Sequence, residues 1–224
     1  MILRSLLWCI LLLSVPPATC CAMEATDILH RVQQRYAPGD FMADFVQESH
    51  LQAMDMVDTA RGQLLFGSPG TMRWHYQSPE EYFIITDGDT VWIYRPDDNQ
   101  VIQGRAIDYF GGRKGSDFFS NPDELSKDFV VSVAPKELQE ENHHVLKLVP
   151  KREQPDLTEL FLFVSRTTFD ISQTVTNNAF GDKTTIRFLN YRFKQGHDPS
   201  LFLFKIPDGA EVMNLQEEQG LLQQ

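Results

Sequence analysis

The fold is decided by the stretch MRWHYQSPEEYFIITDGDTVWIY (72–94). At its start, Met72, Trp74 and Tyr76 alternate with polar residues, which is the period of a strand with one buried face. Two compact runs of β-branched and aromatic residues follow, and the Asp87-Gly88 pair between them is a strong hairpin signal. The stretch therefore predicts three consecutive strands that pair in antiparallel order.

The same pattern continues on both sides of this stretch. Turn residues such as Asn177-Asn178 and Gly181-Asp182 separate short runs of strand-forming residues. Many short strands at regular spacing predict an antiparallel meander. The residues from Glu48 to Ala60 carry no pattern that places them. The further runs are Phe41–Phe45, Leu64–Phe66, Phe129–Val133, Val145–Val149, Leu160–Val164, Phe169–Val175, Thr184–Tyr191 and Leu201–Phe204.

Two helices are predicted beside the strands. Residues 24–36 place apolar side chains at helical spacing, and Pro38-Gly39 ends the helix. A glycine-rich loop, Phe110–Ser120, precedes Asn121-Pro122, a helix cap followed by a proline at the first helical position. We expect this loop and the short helix after it to lie across one face of the sheet.

The N-terminus has the features of a secretory signal peptide. Arg4 precedes a short apolar run, and small residues follow around a cleavage site after Ala22. This predicts a signal peptide at 1–22, one domain at 23–214 and a flexible tail at 215–224. Because all cysteines of the sequence (Cys9, Cys20 and Cys21) precede the cut, the mature chain would hold no disulfide and no thiolate site.

Charge and motif content exclude several functions. The formal net charge is −11, and removal of residues 1–22, which hold one arginine and no acid, makes it −12. An acidic surface repels nucleic acid and anionic membranes. The histidines are scattered without metal-ligand spacing, and no Gly-x-Ser-x-Gly elbow is present. We therefore predict no catalytic residues, no metal site, no cofactor and no nucleic-acid partner, and we expect a monomer.

The aromatic content indicates a binding surface. The sequence holds 16 phenylalanines, all beyond residue 22. Aromatic residues on strands usually form ordinary core, packed against the helices. Two helices, one of them short, are nevertheless too small to cover a sheet of this many strands. The remaining apolar surface must close on itself, meet a partner or hold a ligand.

Several segments, in order and spacing, carry a resemblance to a known family. They are Phe45-x-Gln47, Gly62-x-Leu64-x-Phe66, residues 69–79, residues 87–94, Gln100-Val101, residues 117–129 and Phe202-x-Phe204-x-Ile206-Pro207-x-Gly209. Together with the signal peptide they make the chain resemble the outer-membrane lipoprotein carrier proteins (LolA-like). The resemblance covers nearly the whole mature chain.

The resemblance implies a mainly β fold with a helical lid. This is an open, half-closed antiparallel β-barrel covered by an N-terminal helix and a short central helix. Its concave face would take the acyl chains of lipoproteins in the periplasm. An inner-membrane ATP-driven release complex would load the carrier, and an outer-membrane acceptor lipoprotein would unload it. The carrier would be a chaperone and not an enzyme.

The resemblance implies candidate residues for the acyl-chain cavity and for its lid. Each of them could equally be ordinary core. Members of the family often carry an arginine just before the proline after the Gly-x-Leu-x-Phe strand, where it ties the lid shut. Here that position is Ser68, with Arg61 and Arg73 nearby. The cavity candidates are Phe45, Leu64, Phe66, Met72, Trp74, Trp92 and Tyr94, and the lid candidates are Phe118, Phe119 and Leu125.

Three alternative functions stay open. The first is an outer-membrane acceptor lipoprotein of the same fold, anchored through a lipidated Cys20 or Cys21. The second is a periplasmic regulatory module that uses a similar sheet to sense lipoproteins. The third is a hydrolase, which would lose its turnover when a single histidine or acid is replaced.

Overall fold

The computed structural model describes residues 23–37, 39–67, 70–109, 122–193 and 196–215. The predicted lid residues Phe118 and Phe119 lie outside these ranges. Ser68, at the position where the family often has an arginine, also lies outside them. The helices are α1 (Ala25–Tyr36), α2 (Ala106–Tyr109) and α3 (Pro122–Asp128). The strands are β1 (Phe41–Leu51), β2 (Met56–Gly67), β3 (Thr71–Ser78), β4 (Tyr82–Thr86), β5 (Thr90–Arg95), β6 (Gln100–Arg105), β7 (Phe129–Val133), β8 (His143–Pro150), β9 (Glu159–Ser165), β10 (Ile171–Asn177), β11 (Lys183–Phe193) and β12 (Glu211–Asn214).

The strands form one open sheet of 12 strands, in the order β12-β6-β5-β4-β3-β2-β1-β11-β10-β9-β8-β7. Two meanders, β1 to β6 and β7 to β11, meet where β1 pairs with β11. The predicted antiparallel order is confirmed for these eleven strands. The sequence did not predict β12, which pairs in parallel with β6.

The sheet curves around α1. One core cluster joins Met72 on β3 to Leu148 on β8, and it includes Ile28, Leu29 and Val32 of α1. These two strands are six positions apart in the sheet order, which would be about 29 Å on a flat sheet. A helix is only about 10 Å across. One core shared by such distant strands and a single helix is what the prediction of a half-closed barrel requires.

Tyr36, at the end of α1, fixes the helix to the centre of the sheet. Its ring meets Phe41 edge-on, with centroids 5.2 Å apart. Its hydroxyl accepts a hydrogen bond of 3.0 Å from the backbone N–H of Ile171, and the Tyr191 hydroxyl donates to the Ile171 carbonyl at 2.7 Å. Burial raises the pKa of Tyr36 above its ordinary value. The phenol therefore stays neutral, and α1 is tied to β1, β10 and β11 at once.

Gly62 makes room for Phe45 on the neighbouring strand. The two residues are paired across β1 and β2, at an irregularity in the β2–β3 register. A Cβ at position 62 would lie 2.0 Å from the His75 carbonyl oxygen and 2.9 Å from the Phe45 ring. No real side chain can occupy that space unless the backbone moves. The position thus requires glycine for close approach and not for a special backbone angle.

Two C-terminal predictions are corrected by the structure. Residues Leu201–Phe204 do not form a strand. Instead, Pro199–Phe202 is a 3₁₀ turn, which begins because the Asp198 side chain accepts from the Ser200 N–H at 2.9 Å. Leu215, placed in the tail by the sequence, is buried against Gly104. The packed domain therefore extends at least to residue 215.

We expect Gly62→Ala to lower the free energy of unfolding by about 1–3 kcal/mol, because overpacking forces the backbone of β3 to shift. Thermal or urea unfolding measures this change. Gln77→Ala, at an exposed position of β3, is the matched control and should change stability by less than about 0.5 kcal/mol. Equal unfolding midpoints for the two variants would show that the close approach at Gly62 is unimportant.

Candidate functional site

The strand register assigns each residue to one of two faces. Met72 pairs with Thr86 and Trp74 with Ile84. Through the next hairpin, Ile84 pairs with Ile93. Paired residues share a face, and this face is the one that α1 covers, because Met72 packs in the same cluster as the helix. We call it the helix side, and the other the opposite side.

The helix side carries two apolar cores. The larger core surrounds α1, and the smaller one consists of Val91, Ile102, Ala106 and Leu215. Ile84 packs against both cores, so the apolar surface is continuous between them. The residues in this region are only partly buried. We call Trp74, Tyr82, Ile84 and Ile93 the inner strip.

Aromatic rings surround Trp74. The Phe45 ring meets Trp74 edge-on at 4.9 Å, and Phe188 lies 6.1 Å away. Tyr76 contacts Phe45 edge-on at 4.8 Å and stacks on Tyr82 at 4.1 Å. Rings packed in this way offer a large and rigid apolar surface. The inner strip is thus backed by a fixed aromatic layer and does not depend on loosely packed aliphatic chains.

Two phenols, those of Tyr76 and Tyr82, lie at the inner strip. The Tyr76 hydroxyl donates to the Gln47 side-chain oxygen at 3.0 Å, and burial raises the pKa of Tyr76 above its ordinary value. Burial likewise raises the pKa of Tyr82. Both phenols are therefore neutral at physiological pH. Within the described ranges, no three or more histidine, cysteine, aspartate or glutamate residues are grouped to hold a metal ion.

The structure brings together five of the seven predicted cavity residues. Phe45, Leu64, Phe66 and Met72 are buried in the core around α1, and Trp74 lies at the edge of that core, in the inner strip. The lid candidate Leu125, on α3, is buried in the same core. None of these placements by itself shows that a ligand binds here.

Trp92 and Tyr94 do not share a surface with the other five. Trp92 pairs with Ile85 and Tyr94 with Phe83, which places all four on the opposite side. There Phe204 covers both residues, with ring centroids 6.0 Å from Trp92 and 5.4 Å from Tyr94. The grouping of all seven residues is corrected accordingly. Their aromatic character is explained by packing against the C-terminal segment.

Neither arginine near Ser68 reaches the helix side. Arg73 lies over the Phe83 ring, 4.7 Å from its centroid, and donates to the Leu201 carbonyl at 3.4 Å. Arg61 pairs with Val46 on the opposite side. Both arginines near position 68 in the sequence are thus on the opposite side of the sheet.

Sequence reasoning missed several residues of the helix side. Tyr76, Tyr82, Ile84, Ile93 and Phe188 all contact the inner strip or belong to it. A usable signal was present for most of them. Tyr76 follows Trp74 at the strand period of two, and counting across the Asp87-Gly88 turn assigns Ile84 and Ile93 to the same face.

Comparison with known proteins identifies the family. Residues 39–205 match the family described as "Outer membrane lipoprotein carrier protein LolA". The chain belongs to this family. The outer-membrane lipoprotein carrier protein of Cupriavidus taiwanensis is 28% identical over 155 residues, which cover 69% of this chain and 71% of the relative. That of Alcanivorax borkumensis is 28% identical over 202 residues, which cover 87% of this chain and 90% of the relative.

A solved structure has a similar fold. An uncharacterized conserved protein from Thermus thermophilus superposes with a TM-score of 0.55 at 13% identity. The superposition covers 85% of this chain and 98% of that protein. At this identity the likeness concerns the fold alone. No helix in the described part of this LolA-family chain is long and apolar enough to cross a membrane.

We expect Trp74→Ala to weaken binding of a fluorescent palmitoyl probe about tenfold, since it removes apolar contact worth about 1.4 kcal/mol. Probe titration of the purified protein measures the dissociation constant. Trp92→Ala is the matched control, because Trp92 is also partly buried but lies on the opposite side. Equal loss in both variants would indicate general destabilisation and would contradict a ligand surface at the inner strip.

Proposed function

We propose that the protein binds the acyl chains of lipoproteins released from the inner membrane and carries them through the periplasm to the outer membrane. The observation that carries this proposal is the inner strip. It is a partly exposed apolar surface between two filled cores, in a chain of the lipoprotein carrier family.

The cost of exposing acyl chains explains why a carrier is needed. Each methylene moved into water costs about 0.8 kcal/mol, so three chains of about sixteen carbons cost on the order of 35 kcal/mol. Spontaneous escape from a membrane is negligible at that cost. A carrier must recover much of it and still release its cargo. A rigid aromatic surface that covers only part of each acyl chain meets both needs.

The proposed partners follow from this cycle. An ATP-driven complex of the inner membrane would supply the energy for loading, and an acceptor lipoprotein of the outer membrane would receive the cargo. The chain itself would bind and release its cargo without a chemical step. Its acidic net charge would keep it from adhering to anionic membranes between the two encounters.

A release assay tests the proposal. Purified mature protein is added to spheroplasts that synthesise a radiolabelled outer-membrane lipoprotein. We expect the label to appear in the supernatant, bound to this protein in equal stoichiometry. Trp74→Ala should reduce the released label several-fold, whereas Trp92→Ala should not.

A known carrier of the same family, added to the same spheroplasts, shows that the release machinery is working. Should this carrier release the lipoprotein while the protein described here releases none, the proposed transport function is wrong. The palmitoyl titration would then show whether the helix side binds acyl chains for another purpose.

A further inference from the structure

The hairpin of β1 and β2 projects beyond the neighbouring strand. β2 pairs with β1 from Met56 onward, but with β3 only from Arg61 onward. Within the described part of the chain, residues 56–60 therefore have no strand partner on the β3 side. The sequence did not place this segment. The structure shows that it continues β2 past the end of β3 and is joined to β1 through a short 3₁₀ turn, Gln52–Met54.

Large apolar side chains are exposed at the end of this hairpin. Met54 is 63% exposed, Met56 43% and Val57 53%. In the turn between β10 and β11, Phe180 is 67% exposed. We call these four residues the apolar tip. Such side chains at a projecting end contribute nothing to the core, so their exposure calls for another explanation.

The two turns that form the apolar tip are held side by side. The backbone N–H of Gln52 donates to the Asp182 carboxylate at 2.8 Å. A Cβ at Gly181 would lie 3.2 Å from the Gln52 side chain. The four apolar side chains are thus presented from one supported end of the sheet and not from independent loops.

One residue of the apolar tip, Met56, is on the same face as the helix side. Met56 pairs with Leu51 and stands an even number of residues before Leu64 and Phe66, which face α1. An acyl chain that enters from this end of the sheet would pass the tip before it reaches the inner strip. The pair Ser49 and Asp58 separates Met56 from the buried core, so the tip lies at the end of the helix side, beyond its apolar surface.

Area and charge favour a lipid surface as the occupant. Four side chains of this size expose on the order of 400 Å², about half of the roughly 800 Å² that each partner buries in a stable protein interface. The segments 50–60 and 178–183 hold Asp55, Asp58 and Asp182 against Lys183. Anionic headgroups would be repelled by this balance, whereas the apolar core of an uncharged bilayer surface would accept the four side chains.

We propose that the apolar tip inserts into the surface of a zwitterionic bilayer and so brings the mouth of the helix side to the membrane. This inference deepens the proposed function. The purpose of the membrane contact rests on that function, but insertion of the tip itself needs no lipoprotein. The contact would be brief, because four side chains supply little area. A brief contact suits a carrier that must leave the membrane again.

The mature chain without residues 1–22 has no cysteine, so a single label can be placed at will. Met54→Cys and Leu203→Cys are each labelled with an environment-sensitive NBD fluorophore. Leu203 is the matched site, because it is 66% exposed and belongs to the C-terminal segment that packs on β5. With phosphatidylcholine vesicles in excess, we expect a blue shift and a several-fold rise in emission for the label at position 54 only.

Unlabelled variants test the side chains themselves. Met56→Ser combined with Phe180→Ser should weaken vesicle binding in a flotation assay at least fivefold. Leu203→Ser combined with Val130→Ser, which removes comparable exposed apolar surface elsewhere, should leave it unchanged. Adding phosphatidylglycerol to the vesicles should not strengthen binding, because the tip carries no excess of positive charge.

An unchanged spectrum of the label at position 54, or equal responses at positions 54 and 203, overturns the proposal. If the tip variants lose lipoprotein release from spheroplasts although protein-free vesicles leave the label unchanged, the tip docks on a protein and the bilayer proposal is wrong. If vesicles bind but the palmitoyl probe does not, the proposed carrier function fails while the membrane contact stands.

Discussion

The structure depends on the packing of α1 against a sheet that has to bend to reach it. The helix is anchored by the Tyr36 hydroxyl, whose hydrogen bond from the Ile171 N–H links α1 to β10, while Phe41 meets the Tyr36 ring from β1. Without α1 between them, strands six positions apart in the sheet would share no hydrophobic core. The curvature that creates a helix side at all is thus a consequence of one helix being enclosed.

The same constraint leaves the inner strip open. A 12-residue helix is about 18 Å long and cannot cover twelve strands, so it fills one part of the helix side only. The smaller core near β6 and β12 closes another part. What remains between the two is apolar, aromatic and rigid. The proposed function uses the surface that the helices are too small to bury.

Local patterns predicted most of the fold, and long-range pairing explains what they missed. The helix at 24–36 and most strands follow from spacing along the chain, which the sequence shows directly. β12 was not predicted because its few residues are ordered by pairing with β6, more than a hundred positions away. Trp92 and Tyr94 were grouped with residues of the other face because the face depends on the register across a turn. The projecting hairpin lacks a buried face, so it shows no apolar alternation.

The central pairing of β1 with β11 has a consequence for how the chain folds. Phe41 is matched with Phe193, so the two meanders are joined by contacts between residues about 150 positions apart. Contacts of such separation form slowly, because a long loop must close first. Until β11 has been synthesised and docked, β1 presents a long unpaired edge, which can pair with other chains. The edge of β1, which is at the middle of the finished sheet, is thus the last to be protected from pairing with other chains.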